Sequence, residues 1–231
     1  MQSVNSIEGN VLLQVHGVWW LVLAGGVLGL IVGSFLNVVI YRLPKMIMEE
    51  GTKLNLALPR SHCPRCQKTL SWWHNVPLLS YILLKRRCAF CGESIHWRYP
   101  LVEVISALLS AFIVWRFGVS WPCGFVLLIT WCLLAAFVID CEHQLLPDVL
   151  TLGVLWLGLL ANAFSVFVPP TAAIVGAIAD FLAFWLVSYG YECVRKRAGL
   201  GGGDVKLLAA FGACLGGLGL PMLVLVSSAM A

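Results

Sequence analysis

The sequence predicts an all-α polytopic membrane protein with a small polar insert, and three observations indicate this class. The chain of 231 residues is 60% hydrophobic and only 11% charged, whereas soluble proteins average about 25% charged residues. Its mean hydropathy is +0.91. Its apolar residues are gathered into runs near the ~20 residues that a helix needs to cross a bilayer, without the alternation of a membrane barrel strand.

We expect about six membrane-spanning helices, separated by connectors that contain Gly and Pro, as is typical of helix ends. The apolar segments cover roughly 18–40, 101–117, 123–140, 149–168, 171–191 and 205–231. The first segment has no basic residues before it and no small-x-small site after it. It is therefore expected to be a retained helix and not a cleaved signal peptide.

Residues 42–100 form the one substantial polar insert, and their charge predicts the orientation of the chain. Ten of the fifteen Lys and Arg residues lie between Arg42 and Arg98, and none precedes Arg42. By the positive-inside rule, the insert is expected in the cytoplasm and the N-terminus outside it. Alternation along the spans then places the basic cluster 195–197 in the cytoplasm as well.

Two CxxC pairs in the insert predict a structural zinc site. Cys63 is paired with Cys66 and Cys88 with Cys91, with 21 residues between the pairs. Together they offer the four thiolates of a tetrahedral Zn²⁺ site. A metal would supply folding free energy that a short, polar insert lacks. Disulfides are a competing interpretation, although the cytoplasm is reducing. A redox CxxC is another, but it normally occurs singly.

Two acidic residues at the edges of apolar segments are candidates for catalysis. Asp140 ends the run LLAAFVID, and Asp204 follows glycines that allow another backbone to approach closely. Alternation places both at the cytoplasmic ends of their spans. Two carboxylates that share a proton can activate water and protonate a leaving group, as in an aspartyl protease. Two separate helix-end acids are the competing interpretation, and spacing alone does not decide between them.

Two further acids have other expected roles. Asp148 follows Pro147 and is expected to cap the fourth span. Asp180 lies inside an apolar run, either as a relay residue or as a packing residue paired with Asn162 or Lys206. The glycine run before Asp204 lacks the GK[ST] of a phosphate-binding loop.

Five motifs occur in one order along nearly the whole chain. They are GSFLNVVIYRLP (33–44), the two CxxC pairs, RYPLVE (98–103), IDCEHQLLPD (139–148) and GLGGGDVKLLAAFGA (199–213). Together they resemble the type IV prepilin peptidases, which are bacterial inner-membrane leader peptidases of type IV pilus and type II secretion systems.

The resemblance implies a GxGD aspartyl protease with Asp140 and Asp204 as its catalytic residues. Such enzymes cleave the basic leader of prepilins and pseudopilins after a glycine, on the cytoplasmic side. Bifunctional members then N-methylate the new N-terminal residue with S-adenosylmethionine, and a zinc-associated cysteine insert is their hallmark. The expected partners are therefore a pilin-like substrate and the bilayer, with no nucleic acid.

The resemblance divides the chain into three parts. Residues 1–41 would be a periplasmic N-terminus and first span, 42–100 the cytoplasmic insert associated with methyl transfer, and 101–231 the transmembrane peptidase domain. The family continues into further spans, so about eight are expected in a whole protein. Since no soluble methyltransferase signature is present, the methyl-donor site is unassigned, with Glu103 and residues 33–37 as candidates.

The sequence departs from the family pattern at one position of the glycine run. Gly202 stands where the family usually has Tyr, so the loop before Asp204 is expected to be more flexible.

Two alternatives to a bifunctional enzyme stay open. One alternative is a peptidase whose insert is purely structural. The other is a non-enzymatic scaffold or ion pathway in which Asp140, Asp180 and Asp204 relay protons.

Overall fold

Six α-helices can be followed along the described residues of the computed structural model. The description covers residues 2–48, 55, 65–66, 68–69, 78, 81, 83–84, 86–195 and 201–217, with the side chains of the first helix from residue 19 onward. The helices are α1 (Gln2–Met48), α2 (Arg98–Phe117), α3 (Trp121–His143), α4 (Asp148–Ala163), α5 (Pro170–Arg195) and α6 (Gly202–Leu215). The described residues contain no named strand, and β-pairing there is limited to isolated bridges such as that between Arg87 and Ser94. The all-α prediction is confirmed.

Among the helices of the described residues, four are long and apolar enough to cross a membrane. They are Trp19–Met48 within α1, and helices α2, α3 and α5. Helix α4 is apolar but has only 16 residues. Helix α6 has 14 residues, and the rest of the predicted sixth span, 218–231, lies outside the described residues. The helical nature of the predicted segments is therefore confirmed, whereas the number of spans stays a prediction.

Helix α4 ends earlier than the hydropathy predicts because Asn162 turns the chain. Its side-chain oxygen accepts hydrogen bonds from the backbone N–H groups of Phe167 and Val168, each at 3.0 Å. Ser165 has a φ of 52°, a left-handed conformation that a helix interior does not contain. The apolar residues 164–168 thus belong to a connector and not to the helix.

The chain divides into two compact units, residues 1–123 and residues 124–231. In the first unit, α1 packs closely against α2 along the small residues Gly25, Gly29 and Gly33 of α1. A Cβ atom at position 29 would lie 2.6 Å from the carbonyl oxygen of Ser106 and 2.7 Å from the hydroxyl of Ser110. Small residues at a helix crossing let backbones approach in this way, which is typical of membrane helix pairs.

In the second unit, α6 packs against both α4 and α5. A Cβ atom at Gly158 of α4 would lie 2.6 Å from Sγ of Cys214, and one at Gly176 of α5 would lie 2.6 Å from the carbonyl oxygen of Gly212. The buried centre of this unit consists of Val154, Ala210 and Cys214, and the partly buried Ile129, Cys132, Leu133 and Leu155 pack against it. Helix α3 is thereby joined to α4 and α6.

The α1–α2 crossing predicts that Gly29→Ala destabilises the first unit. The added methyl group overlaps backbone and hydroxyl atoms of α2, and such overpacking typically costs about 1–3 kcal/mol. Gly26→Ala is the matched control, because its Cβ atom would meet its nearest neighbour at an ordinary 3.7 Å. Thermal unfolding of the purified protein should show a lower midpoint for Gly29→Ala only. Equal midpoints for the two variants would contradict the close crossing.

Candidate functional site

Asp140 lies in the last turn of α3 with an exposed side chain. Residues 129, 132, 133 and 136 precede it at helical spacings of three and four, so they share its face of the helix. The first three of these pack against the buried centre formed by α4 and α6. Asp140 therefore lies at the end of the α3 face that is directed toward α4 and α6.

Asp204 lies in the first turn of α6, which begins at Gly202, and its side chain is half-buried. Its backbone N–H donates a hydrogen bond of 3.0 Å to the carbonyl oxygen of Gly201. A carboxylate in this position is stabilised by the unpaired N–H groups and the positive dipole end of the helix. The predicted acid is thus held in the first turn of a helix.

The connector between α3 and α4 joins the neighbourhoods of the two acids. It begins where the N–H of Gln144 donates to the carbonyl oxygen of Asp140 at 2.8 Å. At its far end, Leu146 contacts the start of α6: a Cβ atom at Gly203 would lie 2.6 Å from Cβ of Leu146 and 3.1 Å from its carbonyl oxygen. The start of α6 therefore contacts the connector that leads away from the end of α3.

A second contact fixes the same junction, and the sequence did not reveal it. Nζ of Lys206 lies 2.7 Å from both carboxylate oxygens of Asp148. The expectation that Asp148 caps α4 is wrong, because the N-cap residue is Pro147 and no side-chain cap bond is made. Asp148 lies in the first helical turn and joins α4 to α6 through its ion pair.

Gly202 borders a groove between α5 and α6. The groove has a volume of about 290 Å³. Its lining is Phe181, Trp185, Ser188, Tyr189, Glu192, Gly202, Val205 and Lys206. No described atom lies within 4 Å of the position that a Cβ atom at residue 202 would take. A tyrosine here would therefore meet open space at its Cβ atom, and the expected flexibility of the glycine loop stays a prediction.

Asp180 is buried in α5, and both partners proposed for it from the sequence are engaged elsewhere. Asn162 donates to the carbonyl oxygens of Ala213 and Cys214 at 2.7 and 3.2 Å, and Lys206 pairs with Asp148. Within the described residues, Oδ2 of Asp180 has no hydrogen-bond partner, and it faces Gly212 of α6. Neither predicted pairing of Asp180 is made, and the relay interpretation stays a prediction.

Three of the four predicted zinc ligands come together in the insert. The sulfur atoms of Cys66, Cys88 and Cys91 all lie within 4.8 Å of one another. A tetrahedral site with Zn–S bonds of 2.3 Å requires sulfur atoms separated by ~3.8 Å, so this set needs only a small contraction. Cys63 lies outside the described residues.

The local chain around the second CxxC pair has the form of a tight knuckle. The N–H of Cys88 donates to the carbonyl oxygen of Glu93 at 2.7 Å, and the N–H of Gly92 donates to the carbonyl oxygen of Cys88 at 3.0 Å. Gly92 has a φ of 71°, which glycine adopts without steric cost. The glycine directly after Cys91 is the sequence signal for this turn.

Two side-chain contacts connect residues of the two CxxC segments independently of a metal. Arg65, which lies inside the first CxxC pair, forms an ion pair with Glu93. Nζ of Lys68 lies 5.3 Å from the ring centroid of Phe90, which lies inside the second pair. The chain therefore holds its thiols close together through contacts that the CxxC spacing does not reveal.

Glu103 connects the insert to the α1–α2 pair in the first unit. It is only 8% exposed, and its Oε2 atom accepts a hydrogen bond of 2.9 Å from the backbone N–H of Leu78. The side chain of Ser34 also hydrogen-bonds to it. Nearby, Asn37 donates to the carbonyl oxygen of Tyr99 at 2.9 Å. The two candidates for the methyl-donor site, Glu103 and residues 33–37, are thus brought together.

The described residues thus define a helical protein with helices apolar enough to span a membrane, an acid at the end of α3 and another at the start of α6, and a thiol cluster that could hold a metal ion. Comparison with known proteins agrees. Residues 27–117 match the Bacterial Peptidase A24 N-terminal domain, and residues 127–231 match the Type IV leader peptidase family. The chain belongs to the type IV leader peptidase family.

Curated relatives carry the name prepilin leader peptidase/N-methyltransferase. The chain is 46% identical to the protein from Stutzerimonas stutzeri over 90% of its own length and 77% of the relative. It is 47% identical to that from Pseudomonas aeruginosa, with 87% and 75% covered. For Neisseria gonorrhoeae the identity is 41%, with 87% and 77% covered. No solved structure matches the chain significantly.

The thiol geometry predicts that zinc binding depends on the clustered cysteines. Cys88→Ser and Cys91→Ser should each lower the zinc content of the purified protein from about one equivalent toward zero, because three ligands hold the metal much more weakly than four. Metal analysis by mass spectrometry measures this. Cys193→Ser, an exposed cysteine at the end of α5, is the matched control. Unchanged zinc in Cys88→Ser would contradict the site.

Proposed function

We propose that this chain is a multi-pass inner-membrane enzyme that removes the leader of prepilins or pseudopilins and then N-methylates the new N-terminal residue. The observation that carries the peptidase is the junction at which the start of α6, with Asp204, contacts the connector that follows Asp140. Relatives named prepilin leader peptidase/N-methyltransferase support both activities.

In the proposed peptidase reaction, Asp140 and Asp204 act as one acid–base pair. The ionised carboxylate removes a proton from a water molecule as its oxygen attacks the scissile carbonyl carbon. The protonated carboxyl group then donates to the amide nitrogen as the C–N bond breaks. Because two neighbouring carboxylates do not both ionise readily, a single shared proton serves both steps.

The positions of the acids fit a substrate that is itself anchored in the membrane. A prepilin leader is basic and expected to stay in the cytoplasm while the apolar segment after it enters the bilayer. The positive-inside rule places the insert in the cytoplasm, and alternation then places both aspartates at the cytoplasmic face. An extended peptide that leaves the bilayer there would meet the acids at the level of the scissile bond.

For the methyl transfer we propose the first unit, which contains the insert and Glu103. S-adenosylmethionine supplies the methyl group when bound, and the new N-terminal amine is the acceptor. Cys63, Cys66, Cys88 and Cys91 would hold a structural zinc ion that keeps the insert folded. Glu103 ties the insert to α1 and α2 through Leu78 and Ser34, so it supports the donor site by its position.

The acid pair predicts that Asp140→Asn and Asp204→Asn each abolish leader cleavage. An amide neither accepts nor releases the shared proton, so the rate should fall on the order of a thousandfold or more. Cleavage of a prepilin by the purified variants, followed on gels, measures this. Glu142→Gln, an exposed acid in the same segment, is the matched control. Cleavage by either Asp→Asn variant at the wild-type rate would disprove the pair and favour separate helix-end acids.

The proposed assignment of cleavage and methyl transfer to different units predicts that loss of zinc lowers methyl transfer but not cleavage. Cys88→Ser/Cys91→Ser should still cleave prepilin but transfer at least about tenfold less labelled methyl group from S-adenosylmethionine, because the unfolded insert loses its donor site. Pre-cleaved pilin is the acceptor in the second assay, so that cleavage cannot limit labelling. If wild-type protein cleaves but never labels, the insert is structural and the chain is a peptidase alone.

A further inference from the structure

We propose that Lys206 is a positioning residue of the peptidase: through its ion pair with Asp148 it holds the start of α6, and Asp204 with it, against the connector that follows Asp140. This inference rests on the peptidase activity proposed above. It adds a residue pair that neither the motif spacing nor the chemistry of the two acids identifies.

The contacts around Asp204 anchor the start of α6 at two points. One residue before it, Gly203 approaches Leu146 so closely that a Cβ atom would lie 2.6 Å from Cβ of Leu146. Two residues after it, Nζ of Lys206 lies 2.7 Å from each carboxylate oxygen of Asp148. Leu146 belongs to the connector before α4 and Asp148 to the first turn of α4, so both contacts join the start of α6 to the same short segment. Asp204 lies between these two contacts and is held in place by them.

A direct effect of Lys206 on the carboxyl group of Asp204 is disfavoured by helix geometry. Residues two positions apart on a helix point to different sides and do not face each other. The ammonium group is moreover engaged by both oxygens of Asp148. The lysine therefore acts on Asp204 through the backbone of α6 and not as a neighbouring charge.

Because the ion pair is exposed, a positioning role and a purely structural role predict different effects on turnover and on stability. The side chains of Lys206 and Asp148 are 36% and 57% exposed, and exposed pairs contribute little to global stability. Catalysis is more sensitive, because a displacement of about 1 Å can cost ~100-fold in rate. Loss of the pair should therefore lower the turnover without lowering the unfolding temperature.

The test measures leader cleavage by the full chain, with kcat and KM determined separately. Lys206→Met and Asp148→Asn should each lower kcat about five- to tenfold, at an unchanged KM and melting temperature. Lys206→Arg, which retains the charge, should remain near the wild-type kcat. The double variant Lys206→Met/Asp148→Asn should be no slower than either single variant, because both remove the same contact. Glu142→Gln is the charge-matched control.

Three results of the kinetic and stability measurements would overturn the inference. The first is a wild-type kcat in Lys206→Met. The second is a double variant whose fold-reduction in kcat equals the product of the fold-reductions of the two single variants, since the residues would then act independently. A fall in melting temperature that accounts for the fall in activity would show a purely structural role.

Hydrogen exchange separates a failure of this inference from a failure of the proposed function. Amides 203–207 should exchange faster in Lys206→Met than in the wild type, and unchanged exchange would contradict the anchor. Wild-type protein and Asp204→Asn are assayed in parallel. If wild-type protein does not cleave prepilin, the proposed function fails; if it cleaves and Lys206→Met cleaves equally well, the positioning role alone fails.

Discussion

The close seating of α6 against its neighbours is the constraint on which the second unit depends. Along one side, Gly176 and Gly212 bring α5 and α6 into backbone contact, and at the start of the helix Gly203 does the same for the connector at Leu146. In a bilayer there is no hydrophobic driving force between helices, so this van der Waals contact carries much of the association. The position of Asp204 is consequently set by packing over the whole length of α6.

Buried polar side chains give this packing its register. Asn162 uses its amide group to bond two carbonyl oxygens near the end of α6 and its oxygen to bond two N–H groups of the following connector. A slip of α6 along α4 would leave the side-chain NH₂ group of Asn162 and the two carbonyl oxygens of α6 unpaired in an apolar environment, at a cost of about 1–3 kcal/mol for each group. The helix that begins at the Asp204 loop is thus fixed at both ends.

Sequence reasoning proposed the chemical groups of the candidate site but did not reveal the contacts that position them. Hydropathy and alternation put Asp140 and Asp204 at the ends of their spans, and CxxC spacing grouped Cys66 with Cys88 and Cys91. The pairings Lys206–Asp148 and Arg65–Glu93 depend on how helices and turns are rotated against one another. Apolar helices have no polar face from which that rotation can be read, so the partners of Asp180 were also assigned incorrectly.

The separation of the chain into two units suits the two proposed reactions, because their chemical demands differ. Peptide hydrolysis needs a proton donor and a proton acceptor beside a stable amide, and these are the roles proposed for Asp140 and Asp204. Methyl transfer to the new N-terminus starts from a reactive sulfonium donor and an α-amine whose ordinary pKa is about 7.7–8.0, so a useful fraction is already neutral near pH 7. Binding and orientation then suffice, which is the role proposed for the first unit, in which Glu103 connects the insert to α1 and α2.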